Sequence, residues 1–191
     1  AGDRLKITGK SGSNRTITML VPTVSQTVII PFHPCVDGSG NNYPIVKIGN
    51  QTWMAANLRT TAFLSTGSIP QISDPSAWAG YTAPACCLYQ NDQAYTVTYG
   101  LLYNGYAALS GNICPQGWHV ASDPDWTTLE IFLQNHGYNY DGFVDTDNDR
   151  FTNNKTAKSM AANSLWGFSL NEGAVGNDLS KNNQCGFSAY P

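Results

Sequence analysis

One stretch of this chain carries a strong helical signal, and that limits the folds open to it. Within residues 122–137, Trp126, Leu129, Phe132 and Leu133 recur at the spacing of a single apolar stripe. Ser122, with Asp125 three residues later, forms an S-x-x-D capping box, and Pro124 suits a first turn. Gly137 supplies the left-handed residue that ends a helix. A shorter helix is expected over about 155–163, with Ala157, Met160 and Ala161 facing inward. Elsewhere short β-branched runs alternate with Gly, Asn, Ser, Thr and Pro. The pattern points to a mixed α+β domain with long loops.

The strand signals are brief. Residues 16–20 and 27–32 read as two strands, closed off by Pro31 and Pro34. Residues 1–34 are therefore expected to be a short β segment distinct from residues 35–191. A turn cluster occupies residues 37–42. Residues 43–49 and 52–54 read as a hairpin around Asn50 and Gln51. Residues 58–85 show little periodicity, and a loop that long is normally functional or packed by its own side chains. A short helix is expected near residues 106–109.

Charge is scarce. Asp, Glu, Lys and Arg make up 12% of the chain, against about 25% in typical domains. Glutamate occurs only at Glu130 and Glu172. A coiled coil needs far more Glu and Lys, and nucleic-acid binding needs a basic stripe that is absent here. No run of about 20 apolar residues offers a transmembrane helix. Residues 1–10 hold no apolar signal core, so a secreted chain would be mature or excised. Five cysteines, at 35, 86, 87, 114 and 185, in a low-charge chain suit an oxidising, extracellular setting. Disulfides are expected, with one thiol left over and the pairing open. His33, His119 and His136 are scattered and show no zinc-ligand spacing.

Four blocks then appear in order. They are VKIGNQTWMAANL (46–58), YGLLYNGYAAL (99–109), CPQGWHVASDPDWTTLE (114–130) and GFSAYP (186–191). Together they resemble the Fibrobacter succinogenes major paralogous domain, a family of secreted and surface domains common in Bacteroidetes and Fibrobacteres. The resemblance runs from about residue 36 to 191. It implies a C-type-lectin-like fold: two helices, a small antiparallel sheet and long binding loops. It also implies core roles for Trp118 and Trp126, with Trp53 under the same helix; Trp166 joins them as a core candidate. Residues 1–34 resemble the end of a β-sandwich module such as a fimbrillin-like domain. Relatives continue past the Pro191 position into further strands, so a truncated chain or a partner donating a strand is expected. Relatives often carry another cysteine soon after position 87, where this chain has Thr96, Val97 and Thr98.

Asp145, Asp147 and Asp149 alternate as in the first half of a calcium loop, which makes Ca²⁺ a candidate ligand. Arg150 stands where an EF-hand needs Gly, and Thr156 where it needs Glu. The E-P-N, Q-P-D and W-N-D tripeptides of calcium-dependent sugar lectins are absent. A formylglycine-generating enzyme would need paired cysteines, and Cys185 has no neighbour in sequence. A non-enzymatic reading fits better. Tyr81, Tyr89, Tyr95, Tyr138 and Tyr140 lie in expected loops rich in Asn, Ser and Gly, the chemistry of a recognition surface. The expected role is an extracellular or cell-surface adhesion module, with a pilus tip as one setting, binding a glycan or a host or bacterial surface protein. A structural subunit of a surface filament is the alternative, and a formylglycine-type enzyme the third.

Overall fold

The computed structural model describes residues 3–65 and 67–191. The architecture is mixed α+β. In chain order the strands are β1 (Leu5–Ser11), β2 (Asn14–Leu20), β3 (Ile45–Ile48), β4 (Gln51–Met54), β5 (Cys86–Cys87) and β6 (Leu102–Tyr103). The α-helices are α1 (Pro75–Gly80), α2 (Thr96–Tyr99), α3 (Gly105–Leu109), α4 (Asp123–Asn135) and α5 (Ala157–Met160). Among the described residues no helix is long and apolar enough to cross a membrane.

The chain divides into two compact units. The first takes residues 1–33, 44–55 and 121–191, so the N-terminal segment is built into the same body as the hairpin and the long helix. Its sheet has the order β1-β2-β3-β4. β1 and β2 form a hairpin, with Ser11 facing Asn14 across Gly12 and Ser13. β2 then runs parallel to β3, Thr16 opposite Ile45, and β3 turns back antiparallel into β4. The sheet is therefore mixed, not purely antiparallel.

Two strand expectations change. Residues 27–32 pair with no strand, because Pro31 has no N–H to give a ladder. They lie instead along the β1–β2 hairpin. The Thr16 hydroxyl donates to the Pro31 carbonyl at 2.7 Å. A Cβ on Gly9 would come within 3.0 Å of the Ile30 and Phe32 side chains. The true partner of β2 is residues 5–11. The second hairpin turns at Gly49 and Asn50, one residue earlier than expected, with Gly49 at φ 59°.

α4 packs on this sheet as its stripe requires. Both arms of the capping box form, and Gly137 follows the helix at φ 71°. Leu129 and Leu133 are fully buried against Ile17, Val46 and Ile48. Burying each leucine contributes about 1.5–3 kcal/mol. Trp53 meets Trp126 at 5.0 Å between ring centroids, and Phe187 lies 5.5 Å from the first and 5.8 Å from the second. Trp166 is half-buried outside this cluster, and its indole N–H is buried without a partner.

The second expected helix shrinks to the four residues of α5. Ala157 is exposed, while Lys158 and Ser159 are the buried pair. Met160 packs on the core and Ala161 is buried, as expected, so only Ala157 departs from the expected face, with Lys158 and Ser159 buried beside it. The following loop is closed at its base by Asn182, whose side-chain amide donates to the Ala162 and Val175 carbonyls, each at 2.9 Å. Within the loop Ser169 N donates to the Gly176 carbonyl at 3.2 Å, and Asn177 donates to the Ser169 carbonyl at 3.1 Å. Leu165, Phe168 and Leu170 point outward from it.

The second unit takes residues 34–43 and 56–120. β5 and β6 pair at its centre, over a core of Ile69, Cys86, Leu101, Ala107, Ile113 and Cys114. Trp118 packs at the margin of this core, and its indole donates to the Pro34 carbonyl at 3.0 Å. The expected long loop of residues 58–85 contains α1, capped by Asp74 accepting from Ala77 N at 2.7 Å. Asp37 organises the turn cluster. Its carboxylate accepts from Ser39 N and Asn41 N, each at 2.9 Å, and from the Asn41 amide and the Tyr43 hydroxyl.

Candidate functional site

The end of α4 sets up a cavity in the first unit. Gly137 reverses the chain, and Tyr138 N reaches back to the Leu133 carbonyl at 3.0 Å. Asn139, 4% exposed, then locks the turn. Its amide donates to the Phe143 carbonyl at 2.8 Å, and its carbonyl accepts from Lys155 N at 2.9 Å. Tyr138 and Tyr140 are left on the wall of a cavity of about 300 Å³. Lys158 and Ser159 of α5 line another side, with Arg4 ahead of β1 and Lys181 and Gln184 from the C-terminal stretch.

The charge of this lining is one-sided. Three of the chain's ten Lys and Arg residues line it, and no Asp or Glu does. The Arg4 guanidinium stacks on Tyr138 at 3.9 Å from the ring centroid. Its Nη1 is buried and has no hydrogen-bond partner. Lys158 is 3% exposed, and its ammonium donates to the Ala174 carbonyl at 3.3 Å and the Asp178 carbonyl at 3.2 Å. Burial pulls its pKa below the ordinary lysine value, although the Asp178 carboxylate opposes the shift. Lys181 is exposed at the rim, 3.5 Å from the Asp178 carboxylate. Burial raises the Tyr138 pKa, with Arg4 opposing.

Comparison with known families gives one match. The model of the Fibrobacter succinogenes major domain covers residues 46–191. The chain belongs to that family. No curated protein and no solved structure matches it.

In this member of the Fibrobacter succinogenes major domain family, matched segments supply Trp53, Trp126 and Phe187 to one aromatic cluster. The five candidate tyrosines fall into separate places. Tyr138 and Tyr140 line the cavity. Tyr89 and Tyr95, in the second unit, join Tyr99 in a cluster with centroids 4.8–5.8 Å apart. Tyr81 caps the end of α1, with its backbone N–H on the Trp78 carbonyl.

The three aspartates are not gathered into a metal site. Among the described residues no group of three or more His, Cys, Asp or Glu side chains could hold an ion. Asp145 is buried and accepts from Asp147 N at 3.0 Å. Asp149 is turned to its own loop, accepting from Phe151 N at 2.9 Å and from the Thr152 hydroxyl at 2.5 Å. Asp145 Oδ1 is taken by this local capping, whereas its Oδ2 is buried without a partner.

All five cysteines are free thiols, against the disulfides expected. Burial pushes the Cys35 thiol up to about 12 and the Cys86 and Cys185 thiols up to about 11. Sequence reasoning missed Arg4, Lys158, Lys181 and Gln184. The one available signal was a lysine and a serine at adjacent positions within an otherwise small, apolar segment.

Proposed function

We propose that this chain is a recognition and adhesion module that acts in secreted form or at the bacterial cell surface, and that it binds a glycan through lectin-like loops. The observation that carries this reading is the cavity at Tyr138 and Tyr140. Rigid tyrosines, an amide and several convergent polar groups at one concavity suit a ligand rich in hydroxyls. A cavity of about 300 Å³ has room for a sugar residue, not for the flat face of a protein partner. The module has no catalytic task. Cys185 supports that view, because it is 1% exposed and its burial-raised thiol makes a poor nucleophile. A fimbrial or pilus tip is a setting in which such a module serves adhesion.

The test is a glycan array with the wild-type chain and Tyr140→Ala. Tyr140 is 42% exposed, so its loss leaves the fold intact. The expected result is binding to a defined set of glycans, lost in the variant. Absence of binding to any glycan, or binding that Tyr140→Ala and other lining changes leave untouched, overturns the reading.

A further inference from the structure

We infer that the cavity between Tyr138, Lys158 and Arg4 is an anion subsite for a sugar residue bearing a carboxylate, a uronate or sialate type of pyranose. The inference rests on the glycan-binding reading and adds the chemical class of the ligand.

Four observations converge. The Arg4 guanidinium lies over the Tyr138 ring, and its buried Nη1 has no partner. A buried donor left unpaired is costly, and a planar carboxylate is the acceptor that matches a guanidinium edge. Lys158 places a second cation in the wall. Its two hydrogen-bond partners are main-chain carbonyls, which leaves one ammonium proton for a ligand. Lys181 adds a third positive charge at the mouth.

The surrounding carboxylates are committed elsewhere. Asp141 is paired with Lys155 at 2.7 Å, while Asp178 accepts from the Ser180 hydroxyl and offsets part of the Lys181 charge from 3.5 Å, so Arg4 and Lys158 are the principal cations of the subsite. The lining itself contributes none. A small inorganic anion would use the cations and ignore the rest. A carboxylated pyranose would also use the exposed ring of Tyr140 and the carbonyl oxygen of Gln184, whose amide nitrogen is already turned to the Asn182 carbonyl at 3.4 Å.

The experiment is titration of the intact chain, by calorimetry and ligand-observed NMR, with glucuronic acid, N-acetylneuraminic acid, glucose, inorganic sulfate and inorganic phosphate. At least one carboxylated sugar is expected to bind about tenfold or more tighter than glucose and than either inorganic anion. Its affinity should fall as ionic strength rises from about 0.05 to 0.3 M. Arg4→Gln should weaken it about tenfold, and Arg4→Lys nearly as much, because the fork is lost while the charge stays. Lys181→Gln, at an exposed rim position, should weaken it several-fold without touching the fold. The two sugars separate a uronate source from a sialate source. Sulfate or phosphate binding as tightly as the sugars overturns the inference in favour of a plain anion site. Neutral glycans that bind equally well, with loss in Tyr140→Ala and none in Arg4→Gln or Lys181→Gln, overturn it while the recognition function stands. Failure of every ligand here and on the array overturns both.

Discussion

Replacing Gly100 with alanine tests how the second unit is held together. Gly100 sits at φ 70° and ψ −147°, a region that side chains essentially do not enter. That strain costs about 1–3 kcal/mol. The new methyl would also lie 2.3 Å from the Leu58 carbonyl oxygen and 2.9 Å from the Asn57 Cβ. It cannot stay there, so the Leu58 carbonyl must move. That carbonyl accepts from Leu101 N at 2.9 Å, and Leu101 belongs to the core of the unit. Loss of this bond adds about 0.5–1.5 kcal/mol. The total is about 2–4 kcal/mol, a drop in melting temperature of about 4–16 °C for a chain of this size. Urea unfolding followed by circular dichroism and tryptophan fluorescence reads it. Gly105→Ala is the control, since a Cβ there meets nothing within 4 Å at the start of α3. It should be neutral or stabilise by up to about 1 kcal/mol. A Gly100→Ala variant within about 1 kcal/mol of wild type would refute the reasoning.

Two further predictions concern the same unit and the thiols. Asp37 is 4% exposed and accepts four hydrogen bonds, so Asp37→Ala should cost about 3 kcal/mol and Tyr43→Phe about 1–2 kcal/mol by urea unfolding. A loss under about 1 kcal/mol for Asp37→Ala counts against its organising role. The native thiols should react slowly with an aromatic disulfide reagent at pH 8, because raised pKa values leave about a thousandth or less of Cys35, Cys86 and Cys185 as thiolate. Denaturation should release five thiols at once. The sign for stability follows: the folded state holds protons that the unfolded state gives up near pH 9, so the urea midpoint should fall as pH rises from about 9 toward 11. Prompt reaction of the folded chain at pH 8, or a midpoint flat over that window, contradicts the burial described.

What the sequence disclosed depended on how local each cause was. α4 was legible because its capping box, stripe and terminal glycine all lie within sixteen residues. The hairpin of β3 and β4 was legible for the same reason, to within one residue. β1 was not, since Gly9 interrupts its apolar side and leaves only Leu5 and Ile7 there, and its neighbours decide its place. Residues 27–32 have strand composition, but Pro31 withholds the donor that a ladder needs. In α5 the inward Met160 and Ala161 were legible, whereas the burial of Lys158 was not, because tertiary carbonyls from Ala174 and Asp178 solvate it, a partnership that no local pattern announces. The cavity was half legible. Tyr138 and Tyr140 stood out as loop aromatics, whereas Arg4 and Gln184 meet only through the fold.

The loop after α5 is fastened at its base by Asn182 and braced across its middle by Ser169, Gly176 and Asn177. Those bonds all end on main-chain atoms, and main-chain atoms are the same whatever the side chains between them. The exposed positions of this loop, Leu165, Phe168 and Leu170 among them, can therefore change sequence as a cassette while the frame stays put. The same loop provides the carbonyls of Ala174 and Asp178 that hold the Lys158 ammonium. Because those are main-chain oxygens of the same frame, a lineage could rewrite the cassette without moving the Lys158 ammonium or disturbing the core.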